Sequence, residues 1–542
     1  MFLNWYRNFW RLMEEAGLER STVFRPHDRV VHVAPGSSPL TWRSTVITTL
    51  GDFSAAADNL LSGAASAPDL FLWMYSMLDL VSHRFDPARY LDRRSVHAFL
   101  SSRWYATDES VRFHEHLLAK AFAVPTYFSS AYTYRKYVEY TLSSPLPMLW
   151  VLHKNSQTGL FGPFERRLKD RGLAIKRGLQ VCGLSWADGK LRLKVRPSDL
   201  RGIPRNPETG LRADDDGEGP ADSVGAAGLS VFNPDYVVLA VPPLALARIA
   251  GDFRAAVPGL ATVRKLQSAV TAALDLYFLR RIEGVPECHM VLRDSALGLT
   301  IIDNAQVWEE DDEASDARSA GGGRPAQLTQ LNVAVTDFYK IEGMSKTEAT
   351  AAIIEDLRRF FDFRDEDIDF TRTYLQMNDN EPLFVNEVGS EPWRPGTRTD
   401  IKGLFLAGDF CDNDIGVVTV EGAVVSGLLA ARAIQAQLRF DRPDLPATDR
   451  RFDAIDVLLP EVNSPFDVEA MKALLLPQAA LAYAASKRLE AARFPERLLS
   501  PRDLQFHLEQ ALQGAGAAAA SAAGLAATAA QWVADQHARG RA

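Results

Sequence analysis

Two clusters within one stretch, LFLAGDFCDNDIGVVTVEGAVVSG at 404–427, have the residue types and spacing to do chemistry. The first is Gly408-Asp409, at the end of the apolar run GLFLAG. A glycine there lets backbone approach a ligand at the carboxyl end of a strand, and an acid on the exit turn can accept hydrogen bonds from sugar-like hydroxyls. The second is Thr419-Val420-Glu421-Gly422-Ala423, which opens a predicted helix. Unpaired N–H groups at Val420 to Gly422 would favour an electron-rich carbonyl or an anion. Each piece also has a plain structural reading. Asp409 suits an ordinary turn, Glu421 stabilises the first turn of its own helix, and the small residues suit tight helix–sheet packing. Together the string is more specific than its members.

Other candidates are weaker. His114-Glu115-His116 has metal-ligand types, but a spacing of two puts the histidines on different helix faces, so a surface helix is expected and no metal site. Cys411 reads as a loop thiol. No acid–base residue stands out.

The elements that must position the stretch are partly legible. PDYVVLAVPPLALARIAG (234–251) gives a buried strand, broken at Pro242-Pro243, that restarts as a helix in an α/β crossover. SAVTAALDLYFL (268–279) and QLTQLNVAVTDF (327–338) suggest a second, antiparallel sheet, and Ser345 with Glu348 forms a capping box for helix 345–362. Trp5, Phe9, Leu12 and Met13 share a helix face that Gly17 ends, and 52–145 reads as interrupted helices. Residues 158–172 form an amphipathic helix, followed by strand-like pieces over 173–197 with a hairpin turn at Ala187-Asp188-Gly189-Lys190. Residues 201–228 and 311–325 are loops by composition. Beyond 440 the chain reads as helical with proline punctuation, including a helix start at Ser500-Pro501, and looks like an appendage.

Composition narrows the class. The 542 residues are 47% apolar, with 60 Lys and Arg against 69 Asp and Glu, a formal charge of −9. That is a folded chain with sizeable cores, not one built to bind nucleic acid. Cys182, Cys288 and Cys411 lie far apart and support neither a disulfide framework nor a CxxC metal site, which fits a reducing cytoplasm. The N-terminus lacks a signal-peptide pattern, and no apolar run reaches the ~18–20 residues of a membrane span. Peripheral membrane contact stays open.

On the A-G-D at the strand's end and the E-G-A-x-x-S-G-x-x-A-A run from Glu421 to Ala431, the chain resembles the FAD-dependent amine oxidase and phytoene desaturase superfamily. PDYVVLAVPPLAL and RPGTRTDIKGLFLAGD fall in that family's order, the latter as written in desaturases more than in amine oxidases. The resemblance implies an α/β fold, α+β overall: an FAD-binding Rossmann-like domain (1–50, 151–255 and 396–440), a substrate domain of helices and antiparallel sheet (51–150 and 256–395), and a C-terminal helical extension (441–542). It implies FAD, with Asp409 toward the ribityl-phosphate portion and the backbone of Thr419, Val420 and Gly422 toward the isoalloxazine O2 edge. Gly408, Glu421 and Ala423 complete that set, and Val181 in GLAIKRGLQV matches the position that receives the adenine. It further implies hydride transfer to the flavin from a lipophilic isoprenoid, carotenoid or squalene-type substrate, for which Tyr277 and Phe278 would be suited; amine oxidation is the alternative.

The family opens on a strand and a G-x-G-x-x-G turn that carries the pyrophosphate. This sequence has no such turn, and Gly514-Ala515-Gly516 follows no buried strand. The expectation is a chain that starts more than ~30 residues too late for a whole βαβ unit. A misassigned start or a second polypeptide supplying the turn is favoured over a lost flavin. A non-catalytic subunit contributing half a site is therefore an alternative, and tight FAD binding by residues 1–542 alone is not expected.

Overall fold

The Arg7–Glu15 helix ends at Gly17, whose φ of +73° is the left-handed conformation that stops helices. Its face of Phe9, Trp10 and Met13 is buried with Trp5 and Tyr6 against a three-stranded sheet of Phe2–Leu3, Leu149–Leu152 and Phe24–His27. Arg20 stacks its guanidinium between Trp10 and Trp150, 3.9 and 3.8 Å from the ring centres. The structure is a computed structural model that describes residues 1–36, 38–43, 50–61, 66–82, 88–115, 125–144, 147, 149–187, 189–197, 230–250, 253, 257–308, 328–378, 382–462 and 465–493. The expected loops at 201–228 and 311–325, Asp188, His116, the helix start at Ser500 and the glycines at 514–516 lie outside these residues.

A seven-stranded sheet runs in the order Tyr374–Met377, Ala272–Tyr277, Gln330–Val335, Leu299–Asp303, His289–Leu292, Val30–Val33, Leu40–Trp42. Strict alternation drives it: Ala272, Leu274 and Leu276 are buried, as are Leu331, Val333 and Val335, and they share a core with Ala349, Ile353 and Leu357 of the Lys346–Leu357 helix. Each fully buried aliphatic side chain there contributes roughly 1.5–3 kcal/mol. The two expected strands pair from Ala272 with Val335 to Tyr277 with Gln330. The first fifty residues divide between two sheets. Phe2–Leu3 and Phe24–His27 pair with Leu149–Leu152, whereas Val30–Val33 joins the large sheet in parallel with His289–Leu292. Parallel partners so distant in sequence leave no local signal.

The motif strand, Leu404–Leu406, is parallel to Val237–Leu239, and the Pro243–Ile249 helix follows with proline in its first turn, as the crossover predicts. Its other edge is closed locally, by Leu406 N–H donating to Thr397 O (2.8 Å) and Thr399 Oγ1 donating to Leu404 O (2.8 Å). A meander of Leu179–Ala187, Lys190–Pro197 and Ser230–Phe232 packs beside these strands, with Gly189 at φ +72° in the hairpin. The strand expected at 173–178 does not form. Leu173 and Ile175 are 50% and 37% exposed, and no strand pairs with them among the described residues.

The described residues between 50 and 142 are mostly helical, including Ala67–Ser82 and Ala131–Leu142. The C-terminal Pro465–Arg493 helix is no loose appendage. It lies along Ala67–Ser82, sharing a core of Leu72, Tyr75, Tyr105, Ala479 and Tyr483. Beneath it the buried Asp79 accepts from Lys472 Nζ (2.7 Å) and Tyr105 OH (2.7 Å), with Arg103 Nε at 3.3 Å.

Candidate functional site

The structure brings Gly408, Asp409 and Thr419 to Ala423 together at the end of the Leu404–Leu406 strand. Gly408 N–H donates to Ser426 Oγ (2.8 Å), tying the strand's end to the Val420–Asp441 helix. Gly408 has φ +142°, and a Cβ there would lie 2.5 Å from the Phe410 ring, so only glycine fits. Asp409 is half-buried on the turn. Burial pushes its carboxyl up, while Arg394 and the N–H groups of Asp409 and Phe410 pull it down. Cys411, expected as a plain loop thiol, is fully buried and its thiol is pushed up to about 12, which makes it inert.

Thr419 caps the Val420–Asp441 helix, its Oγ1 accepting from Gly422 N–H (3.1 Å). Glycine is required at 422 because a Cβ would lie 2.6 Å from Val417 O. The N–H groups of Val420 and Glu421 have no intrahelical partner, and Val420 and Ala423 are exposed beside them. Bare backbone next to free donors at a helix N-terminus fits the carbonyl edge of an isoalloxazine ring.

The Glu421 carboxylate has another use. It is buried and accepts from Asn8 N–H (2.9 Å), Asn8 Nδ2 (2.6 Å) and Phe9 N–H (2.9 Å). The Arg7–Glu15 helix has no side-chain cap and no acid in its own first turn, so Glu421 supplies both from across the chain. Burial pushes the Glu421 carboxyl up, outweighing those donors. Only its backbone is left for a cofactor. Val181 pairs with Val195, just before a register shift at Cys182, half-buried against the core that holds Leu404, Leu406 and Phe410.

The sequence reading missed the Ala131–Leu142 helix as a wall of this site. Tyr137 OH donates to Val418 O (3.1 Å) and Tyr140 OH to Ile415 O (3.2 Å). Lys136 reaches Gly416, whose φ of +62° and missing Cβ make room for the ammonium, and lies 4.7 Å over the Tyr132 ring. Burial lowers the Lys136 ammonium's pKa, with Glu391 opposing. The available signal was tyrosine at 137 and 140 on one helical face, with Lys136 beside it. From the other side Asn386 Oδ1 accepts from Val418 N–H (3.0 Å), and Arg394 reaches the carbonyls of the Asp409 turn.

Two expectations change. His114 is not on a surface helix: it is buried, Nε2 2.5 Å from Ser76 Oγ and Nδ1 2.9 Å from Tyr134 OH, and burial pushes its pKa down to about 3. Because Ser76 gives its hydrogen to Trp73 O (2.7 Å), a neutral imidazole donates from Nε2 and accepts from Tyr134. Phe278 belongs to the large sheet's core, and Tyr277 OH accepts from Gln330 Nε2 (3.0 Å). Among the described residues no group could hold a metal, and no helix is long and apolar enough to cross a membrane.

Comparison with known proteins agrees with this geometry. A family model described as flavin containing amine oxidoreductase matches residues 1–435. Among solved structures, an oxidoreductase from Methanosarcina mazei aligns with TM-score 0.50 at 13% identity, over 77% of this chain and 83% of that one. Cyclohexylamine oxidase from Brevibacterium oxydans gives TM-score 0.46 at 13% identity, over 80% and 86% of the two chains. A putrescine oxidase redesigned in its cofactor binding gives 0.46 at 14%, also over 80% and 86%. No curated protein matches the sequence. A family match over most of the chain, together with the glycine-bounded strand end and the open helix N-terminus, places the chain in the family of flavin-containing amine oxidoreductases.

Proposed function

We infer that residues 1–542 supply the closing half of a flavin site in an enzyme that dehydrogenates an apolar substrate of the isoprenoid, carotenoid or squalene class. The observation that carries the first part is the bare backbone at Gly408 and Gly422 beside the free N–H groups of Val420 and Glu421. When bound, FAD supplies the two-electron acceptor, receiving a hydride at N5. The N–H groups and positive end of the Val420–Asp441 helix would favour an electron-rich carbonyl edge of the ring. Asp409 would accept from the sugar-alcohol hydroxyls, and Val181 would line the adenine end. The pyrophosphate would be held by a G-x-G-x-x-G turn, which residues 1–542 do not contain, and the exposed 173–178 stretch, which joins no strand among the described residues, would offer the strand of that turn an edge.

The apolar substrate rests on the run-up to the acid, RPGTRTDIKGLFLAGD, which is written as in desaturases more than in amine oxidases. Such a substrate partitions into lipid, so peripheral membrane contact belongs to the same reading. The test is co-expression with a separate G-x-G-x-x-G segment, then anaerobic mixing of the purified pair with a polyene precursor or an amine. Bleaching of the visible flavin band by the polyene is expected. Bleaching by the amine alone means an amine oxidase, and a bound flavin that neither substrate bleaches means a half-site scaffold.

A further inference from the structure

Arg394 is buried to its guanidinium, with 0% side-chain exposure. An arginine reaches that depth only when its donors are taken up. Nη2 donates to Asp409 O (2.8 Å) and to Cys411 O (2.8 Å), Nε to Phe410 O (3.3 Å), and Nη1 to Glu391 Oε2 (3.3 Å). In an extended strand successive carbonyls point to opposite edges, so three in a row cannot meet one cation. The chain leaving Leu406 must therefore fold around the guanidinium. A second tie, Asp412 N–H to Pro395 O (2.9 Å), closes the same loop against the segment that carries Arg394.

With its carbonyls turned to Arg394, the turn has the N–H groups of Asp409 and Phe410 near the Asp409 carboxyl, where with Arg394 they oppose the upward push of burial. We propose that Arg394 is a positioning residue: its planar fork sets the Asp409–Cys411 turn and so fixes where the Asp409 carboxylate stands. Lysine cannot replace it, because a point charge on a flexible stem does not reach three diverging carbonyls at once. Arg394 also opposes the effect of burial on the Asp409 carboxyl, so its removal moves that carboxyl's titration upward. The consequence for cofactor binding rests on the proposed contact between Asp409 and the flavin's hydroxyls; the positioning itself does not.

Cys411 lies inside the turn and Cys288 is buried elsewhere, immediately before the His289–Leu292 strand, so the two thiols separate local from global opening. The experiment compares residues 1–542 carrying Cys182→Ser with the same protein bearing Arg394→Met or Arg394→Lys. It reads thiol labelling at Cys411 and Cys288 by peptide mass, and the Asp409 carboxyl titration by NMR. Arg394→Met is expected to speed labelling at Cys411 by at least about tenfold, to leave Cys288 unchanged and to raise the Asp409 midpoint, with Arg394→Lys between it and the parent. Equal protection of Cys411 in all three proteins, with an unmoved midpoint, overturns the proposal. If Arg394→Met also exposes Cys288, Arg394→Lys decides on the same readings. Riboflavin titration of Asp409→Asn separates the two layers: unchanged affinity removes the role of Asp409 and leaves the positioning by Arg394 intact.

Discussion

Replacing Glu421 with glutamine disturbs the contact between the motif helix and the Arg7–Glu15 helix without changing side-chain size. One glutamine oxygen can still accept from Asn8 or from Phe9, but the amide then faces the other donor. A buried N–H without its acceptor costs about 1–3 kcal/mol, and losing the charge at a helix N-terminus adds about 0.3–1 kcal/mol. Burial already holds the Glu421 carboxyl up, which offsets part of the charge term. The net expectation is a destabilisation of about 1–3 kcal/mol at neutral pH. Urea unfolding followed by tryptophan fluorescence reads it, because Trp5 and Trp10 share the core beneath this helix. Amide exchange at Asn8 and Phe9 localises it, since those are the two N–H groups the carboxylate holds. Unchanged exchange at both amides, with the urea midpoint unmoved, would refute the assignment of Glu421 as the cap of the Arg7–Glu15 helix.

Three further expectations concern other parts of the molecule. His114 titrates near 3 in the folded chain against 6.5 when unfolded, so below pH 6.5 only the unfolded state takes up its proton and stability falls as pH drops toward 3. At most this amounts to roughly 4–5 kcal/mol; His114→Gln should flatten the slope of urea midpoint against pH between 7 and 4, and parallel curves would contradict the buried neutral histidine. Lys472→Met removes one partner of the buried Asp79 while Arg103 and Tyr105 remain. Proteolysis within Pro465–Arg493 should quicken, with a cost below the ~3–5 kcal/mol of a buried charge left wholly unpaired, and unaltered cleavage would mean that apolar packing alone holds that helix. Gly422→Ala places a methyl 2.6 Å from Val417 O, a backbone clash that displaces the start of the motif helix, and should both lower the thermal midpoint and weaken riboflavin binding at least about tenfold; a thermal melt and a fluorescence titration measure the two, and an unchanged melt with unchanged binding would contradict the need for glycine there.

Local signals in the sequence were accurate where chemistry is local. The capping box of Ser345 and Glu348 is formed in both directions, and Gly17 and Gly189 take the left-handed conformations their positions require, whereas the Gly422 N–H expected to be free is taken up by the Thr419 cap. What stayed hidden depends on partners far away in the chain. Glu421 reads as an acid in its own helix's first turn, yet the donors it serves are at Asn8 and Phe9. Val30–Val33 looks like any short apolar run, and only His289–Leu292 makes it a strand of the large sheet. LAIKRG has the pattern of a strand, but a strand needs an edge to pair with, and none is offered among the described residues. Arg394 stands inside RPGT, where nothing local marks an arginine whose donors meet carbonyls beyond the next strand.

The central claim is that this chain holds the closing half of a flavin site and not the pyrophosphate anchor. Fluorescence titration of purified residues 1–542 with FAD and with riboflavin tests it directly, because the two ligands share the isoalloxazine and ribityl groups and differ in the phosphates and adenosine. The account predicts weak binding of both, with affinities within about tenfold of each other, roughly 1.4 kcal/mol. A preparation that is yellow and stoichiometrically loaded without a partner, or that prefers FAD over riboflavin by several orders of magnitude, would contradict it.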